Sequence, residues 1–194
     1  MKIYLSILNE GWIRSELTIK LAKWLRESKH DIYYESSYLQ PIEHNRNTIV
    51  KRFLESERDY LLQIDNDIVP TKNPLELIDF QKDIISCPVW IYQEKLILNI
   101  YKQKEDYLVP VEPKEQTGLI EVDATGTGIL LCSRSVLERV KKPFERIYDD
   151  YGIAKLGLDL AFSQKAKEAG FKIYSHLDYI CKHYKTIDLS IFVN

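Results

Sequence analysis

Two aspartates one residue apart close an apolar run in this chain, Tyr60-Leu61-Leu62-Gln63-Ile64-Asp65-Asn66-Asp67. Carboxylates at the end of a buried strand repel each other and lose hydration. A divalent cation removes that penalty. Oxygen donors with no sulfur nearby suit a hard ion such as Mg²⁺ or Mn²⁺. Such an ion points to chemistry on a phosphate-bearing substrate. The same residues equally describe a solvated turn after a strand, because Asp-x-Asp is short and common. The elements that position the pair have to decide.

Those elements alternate in type. Residues 2–8 read as a buried strand, and Asn9, Glu10 and Gly11 as a loop. Ser15 opens a helix running to about residue 27, with Leu17, Leu21, Trp24 and Leu25 on one face. Residues 31–36 form a second strand, Pro41 breaks the chain, and residues 45–55 form a second helix. Residues 60–64 are the third strand, ending in the acidic pair. A βαβαβ order implies a parallel sheet with helices on its faces. Ligands of such sheets sit at the carboxyl ends of strands, where Asp65-Asn66-Asp67 falls. No glycine-rich phosphate loop follows the first strand, which argues against a dinucleotide-binding Rossmann site and a P-loop.

The second half is mixed in character. A short helix at 74–80, with Pro74 in its first turn, precedes a strand at 83–89, a turn at 92–95 and a strand at 96–102. Residues 107–111 and 119–122 extend this sheet. Asp123-Ala124-Thr125-Gly126-Thr127-Gly128 then leads into a strand at 129–132 and a helix beginning at 135–140. A helix at 158–169 is closed by Gly170, and a strand follows at 172–175. Residues 187–194 are expected to form a docked or swapped tail.

The bulk composition narrows the classes. The chain has 194 residues, 45% of them hydrophobic, which suits a single domain with a real core. A net charge of −2 with scattered basic residues argues against nucleic acid as a partner. No apolar run approaches the roughly 20 residues of a membrane span. Cys87, Cys132 and Cys181 are odd in number and lack CxxC spacing, so neither a zinc knuckle nor a full disulfide framework is indicated. Reducing, cytoplasmic conditions are the expectation, the host cytoplasm if the protein is viral.

Four segments occur in a telling order: Asn45-Arg46-Asn47, Ile64-Asp65-Asn66-Asp67, Asp123-Ala124-Thr125-Gly126-Thr127-Gly128, and Leu158-Asp159-Leu160-Ala161-Phe162 with Ala169-Gly170-Phe171-Lys172-Ile173. Together they resemble a GT-A glycosyltransferase of the family 2 type, in a minimal form like those of viruses and phages. The resemblance runs from the first strand to His183. It implies an α/β fold with a Rossmann-like mixed sheet, a nucleotide-binding half over about 1–90 and an acceptor and catalytic half over about 91–194.

The resemblance also implies roles. Asp65 and Asp67 match the metal motif that holds Mn²⁺ or Mg²⁺ against the diphosphate of a nucleotide sugar. Asp67 would be the direct ligand, Asp65 would reach the ribose or the metal, and Asn66 would lie with them against the nucleotide. Arg46 would sit beside the nucleotide. Asn9, with Glu35 or Ser36, would meet the base or ribose. Asp159 would be the general base of an inverting transfer, although Leu158 stands where the family has Glu. His183 would complete the metal site, with His176 a weaker candidate. Thr125-Gly126-Thr127-Gly128 would let backbone approach the donor sugar, or serve as an ordinary tight turn. The acceptor is open among glycan, lipid and protein, as is the oligomeric state. Two alternatives stand beside this reading. One is a sugar-phosphate nucleotidyltransferase, whose glycine-rich basic loop Leu8-Asn9-Glu10-Gly11-Trp12 does not supply. The other is a non-catalytic nucleotide-sugar-binding protein of the same fold, which Leu158 keeps open.

Overall fold

A computed structural model describes residues 1–113 and 117–186. The tail expected at 187–194 lies outside the described residues. Seven strands form the main sheet: β1 (Lys2–Leu8), β2 (Asp31–Ser37), β3 (Tyr60–Asp65), β4 (Ile84–Ser86), β5 (Leu119–Val122), β6 (Ile129–Ser133) and β7 (Ile173–His176). Their order is β5-β7-β4-β6-β3-β1-β2. β1 runs parallel to both β2 and β3. β6 then enters antiparallel between β3 and β4. The sheet is therefore parallel where β and α alternate and mixed beyond β3.

Both faces of the sheet are covered, which is why β1 reads as a nearly continuous apolar run. Ile3, Leu5 and Ile7 pack with Leu17, Leu21 and Trp24 of α1 (Ser15–Glu27). Tyr4 and Leu8 face the other way, toward Ile49, Val50 and Phe53 of α2 (Ile42–Glu55). On that second face also lie Val136 and Leu137 of α3 (Arg134–Arg139) and Phe162 and Ala166 of α4 (Leu158–Glu168). α2 starts at Ile42, earlier than the expected residue 45, because Pro41 sits at its N-cap rather than before a loop.

Three expectations change around the cleft. The strand expected at 83–89 stops at Ser86. Cys87 then donates its N–H to the Ile129 carbonyl, and Val89 bridges to Cys181. The strand expected at 96–102 breaks at Asn99. Its first part, Lys95–Leu98, folds back on Trp90–Gln93, and the second, Ile100–Lys104, joins a separate three-stranded sheet with Tyr107–Pro110 and Ala124–Thr125. The break has a local cause: the Asn99 side-chain oxygen accepts from the Val89 N–H at 2.8 Å, tying the turn to the chain beside it. Of the two segments expected to extend one sheet, only Leu119–Val122 joins the main one. A small hairpin, Ile147–Tyr148 with Ala154–Leu156, appears just before α4 and was not expected. No helix among the described residues is long and apolar enough to cross a membrane.

Candidate functional site

The carboxyl ends of β1 and β3 meet the start of β6 at one edge of the sheet, with Ile129 opposite Ile64. Backbone bonds fix the junction: Asp65 N–H donates to the Gly128 carbonyl at 2.8 Å and Asn66 N–H to the Leu8 carbonyl at 2.9 Å. A cleft of about 670 Å³ opens there, lined among others by Asn9, Trp12, Asp65, Asp67, Asp159 and His183.

Asp65 ends β3 facing the sheet's interior edge. Both of its carboxylate oxygens accept from Nη2 of Arg46, at 2.8 and 2.9 Å. Arg46 is 3% exposed and also donates to the Gln63 side chain and the Thr127 carbonyl, both at 3.3 Å. Removal from bulk water pushes the Asp65 carboxyl up to about 6; the Arg46 charge opposes that rise, and Asp159 and Asp67 add to it. Within the protein, the Arg46 guanidinium is engaged by Asp65, Gln63 and the Thr127 carbonyl. It lies beneath the cleft floor and acts on Asp65.

Asp67 faces a different set of groups. His183 Nε2 lies 3.4 Å from Asp67 Oδ2, and the Lys185 ammonium sits on the same oxygen at 2.6 Å. Burial raises the Asp67 carboxyl, but the hydrogen bonds from His183 and Lys185 outweigh it and hold it below its ordinary value. His183 reaches this place because Lys182–His183 pairs antiparallel with Ile68–Val69, the two residues just past the acidic turn. Its Nδ1 lies 3.0 Å from the Trp90 carbonyl. A carbonyl only accepts, so Nδ1 carries the hydrogen. With Nδ1 so engaged, Nε2 is the ring nitrogen that faces Asp67. A backbone carbonyl that fixes the ring this way is the outer partner a metal-binding imidazole ordinarily has.

The donor set thus fits a divalent ion in part. Asp67 and His183 face each other, while Asp65 is turned to Arg46. Among the described residues no three His, Cys, Asp or Glu side chains gather into a group that would hold an ion unaided. A hard ion that takes most of its ligands from substrate phosphates and water needs only one or two from the protein.

Asp159 is the second residue of α4, where a negative charge is favoured by the helix dipole. The Thr127 hydroxyl donates to its Oδ1, and Ser163 Oγ donates to its backbone carbonyl at 2.9 Å. Thr125 N–H in turn donates to Ser163 Oγ at 3.2 Å, so the 124–128 segment and the start of α4 are fastened together. Leu158, where the resemblance implies Glu, is buried in the core beneath. The two glycines of this segment are set by close approach. A Cβ on Gly126 would stand 1.9 Å from Asn99 Nδ2, and one on Gly128 2.1 Å from Ile68 Cδ1.

The remaining expected residues divide. Asn9 lines the cleft, its amide donating to Ser36 Oγ at 2.6 Å and its oxygen accepting from Gly11 N–H. Asn66 lines it too, and its amide holds the Trp12 carbonyl at 3.0 Å. Glu35 is elsewhere. It pairs with Arg52 at 3.2 Å and lines a separate hollow with Tyr4 and Tyr33. Side chains alternate along β2, so Ser36 points to the cleft end while Glu35 points to α2. His176 is buried between Phe80 and Tyr179 and takes no part in the cleft. All three cysteines are buried free thiols. Sequence reasoning missed Lys185 and Thr127. Lys185 carries no motif; its only signal is its place two residues after His183, on the same side of an extended segment.

No family model matches the chain, and no curated protein matches it. Solved structures do. A197 from STIV is similar with a TM-score of 0.66 at 20% identity, over 96% of this chain and 87% of that one. GalNAc-T7, solved with UDP, GalNAc and Mn²⁺, is similar with a TM-score of 0.55 at 12% identity. All of this chain aligns to it, spanning 46% of its length. These likenesses show the fold, which is GT-A with a central mixed sheet and flanking helices.

Proposed function

We propose that this chain is a divalent-cation-dependent glycosyltransferase that moves a sugar from a nucleotide-sugar donor to an acceptor hydroxyl with inversion. One observation carries the reading. Asp67 after β3, Asp159 at the start of α4 and His183 near the end of the described chain line a single cleft at the carboxyl ends of parallel strands. Nothing about core packing requires three such side chains to converge there. GalNAc-T7, of the same fold, was solved with a nucleotide, a sugar and Mn²⁺.

In this reading Asp67 and His183 hold Mg²⁺ or Mn²⁺. When bound, the ion supplies Lewis-acid stabilisation of the charge that grows on the leaving diphosphate. Asp65, fixed by Arg46, faces the ribose. Asn9, Asn66 and the Trp12 loop line the nucleoside side of the cleft. Asp159 accepts the acceptor hydroxyl proton as that oxygen bonds to the sugar's anomeric carbon and the bond to the diphosphate breaks on the opposite face. The Thr127 hydroxyl holds one oxygen of Asp159, leaving the other for the incoming proton. A positioned base of this kind contributes about 10²–10⁴-fold.

The test is a panel of nucleotide sugars with Mn²⁺, read first by thermal shift. A donor at 100 times its dissociation constant adds about 2.7 kcal/mol, or roughly 5–11 °C for a domain of this size. Metal-dependent release of nucleoside diphosphate from that donor supports the enzyme. A thermal shift with no release under any acceptor condition supports the non-catalytic binder. No shift with any member of the panel overturns both.

A further inference from the structure

Among the described residues the Lys185 ammonium is the cation nearest Asp67, 2.6 Å from its Oδ2. Residues 182–185 are held from two sides. Lys182 and the Tyr184 hydroxyl share the Glu16 carboxylate at 2.8 and 2.9 Å, and the Arg14 guanidinium lies 3.9 Å over the Tyr184 ring. On the other side Tyr184 N–H donates to the Asp67 carbonyl at 2.9 Å, and His183 reaches the Trp90 carbonyl. This arm delivers His183 and Lys185 to one and the same oxygen, Asp67 Oδ2. The backbone is anchored while the Lys185 side chain is 66% exposed, so its ammonium can swing without disturbing the arm.

The Asp67 oxygen that faces His183 Nε2 is the one that the Lys185 ammonium now contacts. An ion seated between Asp67 Oδ2 and His183 Nε2 would stand beside the Lys185 ammonium on that same oxygen, and the repulsion between the two cations favours release of the ammonium as the ion arrives. Asp65 is already held by Arg46, and the diphosphate that arrives with the ion offers the displaced ammonium a new anion. We propose that Lys185 is an exchangeable counter-ion: it neutralises Asp67 when no divalent ion is bound and pairs with the nucleoside diphosphate when one is. Both halves rest on the ion site of the proposed function, and the second rests also on its nucleotide. The consequence is a site that discourages a bare metal ion and favours the ion and nucleotide together.

The experiment measures two affinities in the whole chain and in Lys185→Met, which keeps the stem and removes the charge. Mn²⁺ alone is titrated by the electron-spin-resonance signal of the free ion. UDP and GDP are titrated by calorimetry at saturating Mn²⁺. The expected result is a crossover. Lys185→Met binds Mn²⁺ alone about two- to fivefold more tightly, the range an exposed ion pair supplies. It binds the nucleoside diphosphate more weakly by a similar factor, and Lys185→Arg restores both values toward wild type. Unchanged Mn²⁺ affinity in Lys185→Met overturns the counter-ion role. Both affinities falling together also overturns it, because that marks a disturbed arm. If the wild type binds neither nucleotide, the proposed function and the second half fail, while the Mn²⁺ titration still decides the first.

Discussion

Replacing Arg46 by Met removes the charge that holds Asp65 and keeps most of the buried volume. At pH 8 Asp65 is ionised in the wild type, since its carboxyl titrates at about 6. The variant leaves that carboxylate with Asp67 and Asp159 nearby and no guanidinium. Breaking a fully buried pair from one side costs about 3–5 kcal/mol; the Asp65 side chain is 26% exposed, so that range is an upper bound, a fall in Tm of at most roughly 6–20 °C for a domain of this size. The pH dependence has a definite sign. The folded-state pKa of Asp65 already lies above its ordinary 3.8, so ionising it costs stability as pH rises toward and through 6. Without Arg46 that pKa rises further, and the loss extends to higher pH. At pH 5 the carboxyl is largely protonated in both proteins, and the difference between them narrows. The assay is urea denaturation at pH 5 and pH 8, with Arg46→Met/Asp65→Asn as the second variant. Removing both charges should restore part of the stability lost in Arg46→Met alone. A cost under about 1 kcal/mol at pH 8, equal costs at the two pH values, or strict additivity in the double variant would refute the reasoning.

Gly126→Ala places a methyl against Asn99, whose oxygen holds the Val89 N–H; the overpacking should cost about 1–3 kcal/mol by denaturant titration. Glu43, at the start of α2, is held below its ordinary 4.5 by backbone hydrogen bonding there, against burial, and by Arg146. A depressed folded-state pKa stabilises above the unfolded value, so the Tm advantage of wild type over Glu43→Gln should be present above about pH 4.5 and vanish as pH falls below it. Asp159→Asn should lower sugar transfer by about 10²–10⁴-fold while leaving nucleoside diphosphate affinity nearly unchanged, because the lost interaction belongs to the transition state. The wild-type product should carry the opposite anomeric configuration to the donor by NMR, and retention would transfer the base role away from Asp159.

The elements that carry the cleft were legible because their signals are local. The apolar runs of β1 and β3 and the Leu17, Leu21, Trp24 face of α1 each reflect burial that repeats at a fixed spacing. Those elements bring Asp65 and Asp67 to a strand end, and the motif order brings Asp159 and His183 to the same cleft. What the sequence left hidden depends on contacts between distant segments. That Arg46 is buried and paired with Asp65 is a matter of side-chain direction that no spacing reports. Glu35 and Ser36 are neighbours in sequence, yet Glu35 lines a hollow with Arg52 while Ser36 accepts from the cleft residue Asn9. The break at Asn99 comes with two hydrogen bonds between Asn99 and Val89, and the place of Lys185 from an arm tied to α1 through Glu16.

The most direct test of the account is calorimetric titration of UDP, GDP, CDP and dTDP into the protein in Mn²⁺ and in EDTA, repeated with Asp67→Ala. The account predicts that at least one nucleoside diphosphate binds far more tightly with Mn²⁺, and that Asp67→Ala removes the difference while the protein stays folded. Equal affinities with and without the metal for every nucleotide, or a metal effect that survives in Asp67→Ala, would contradict it.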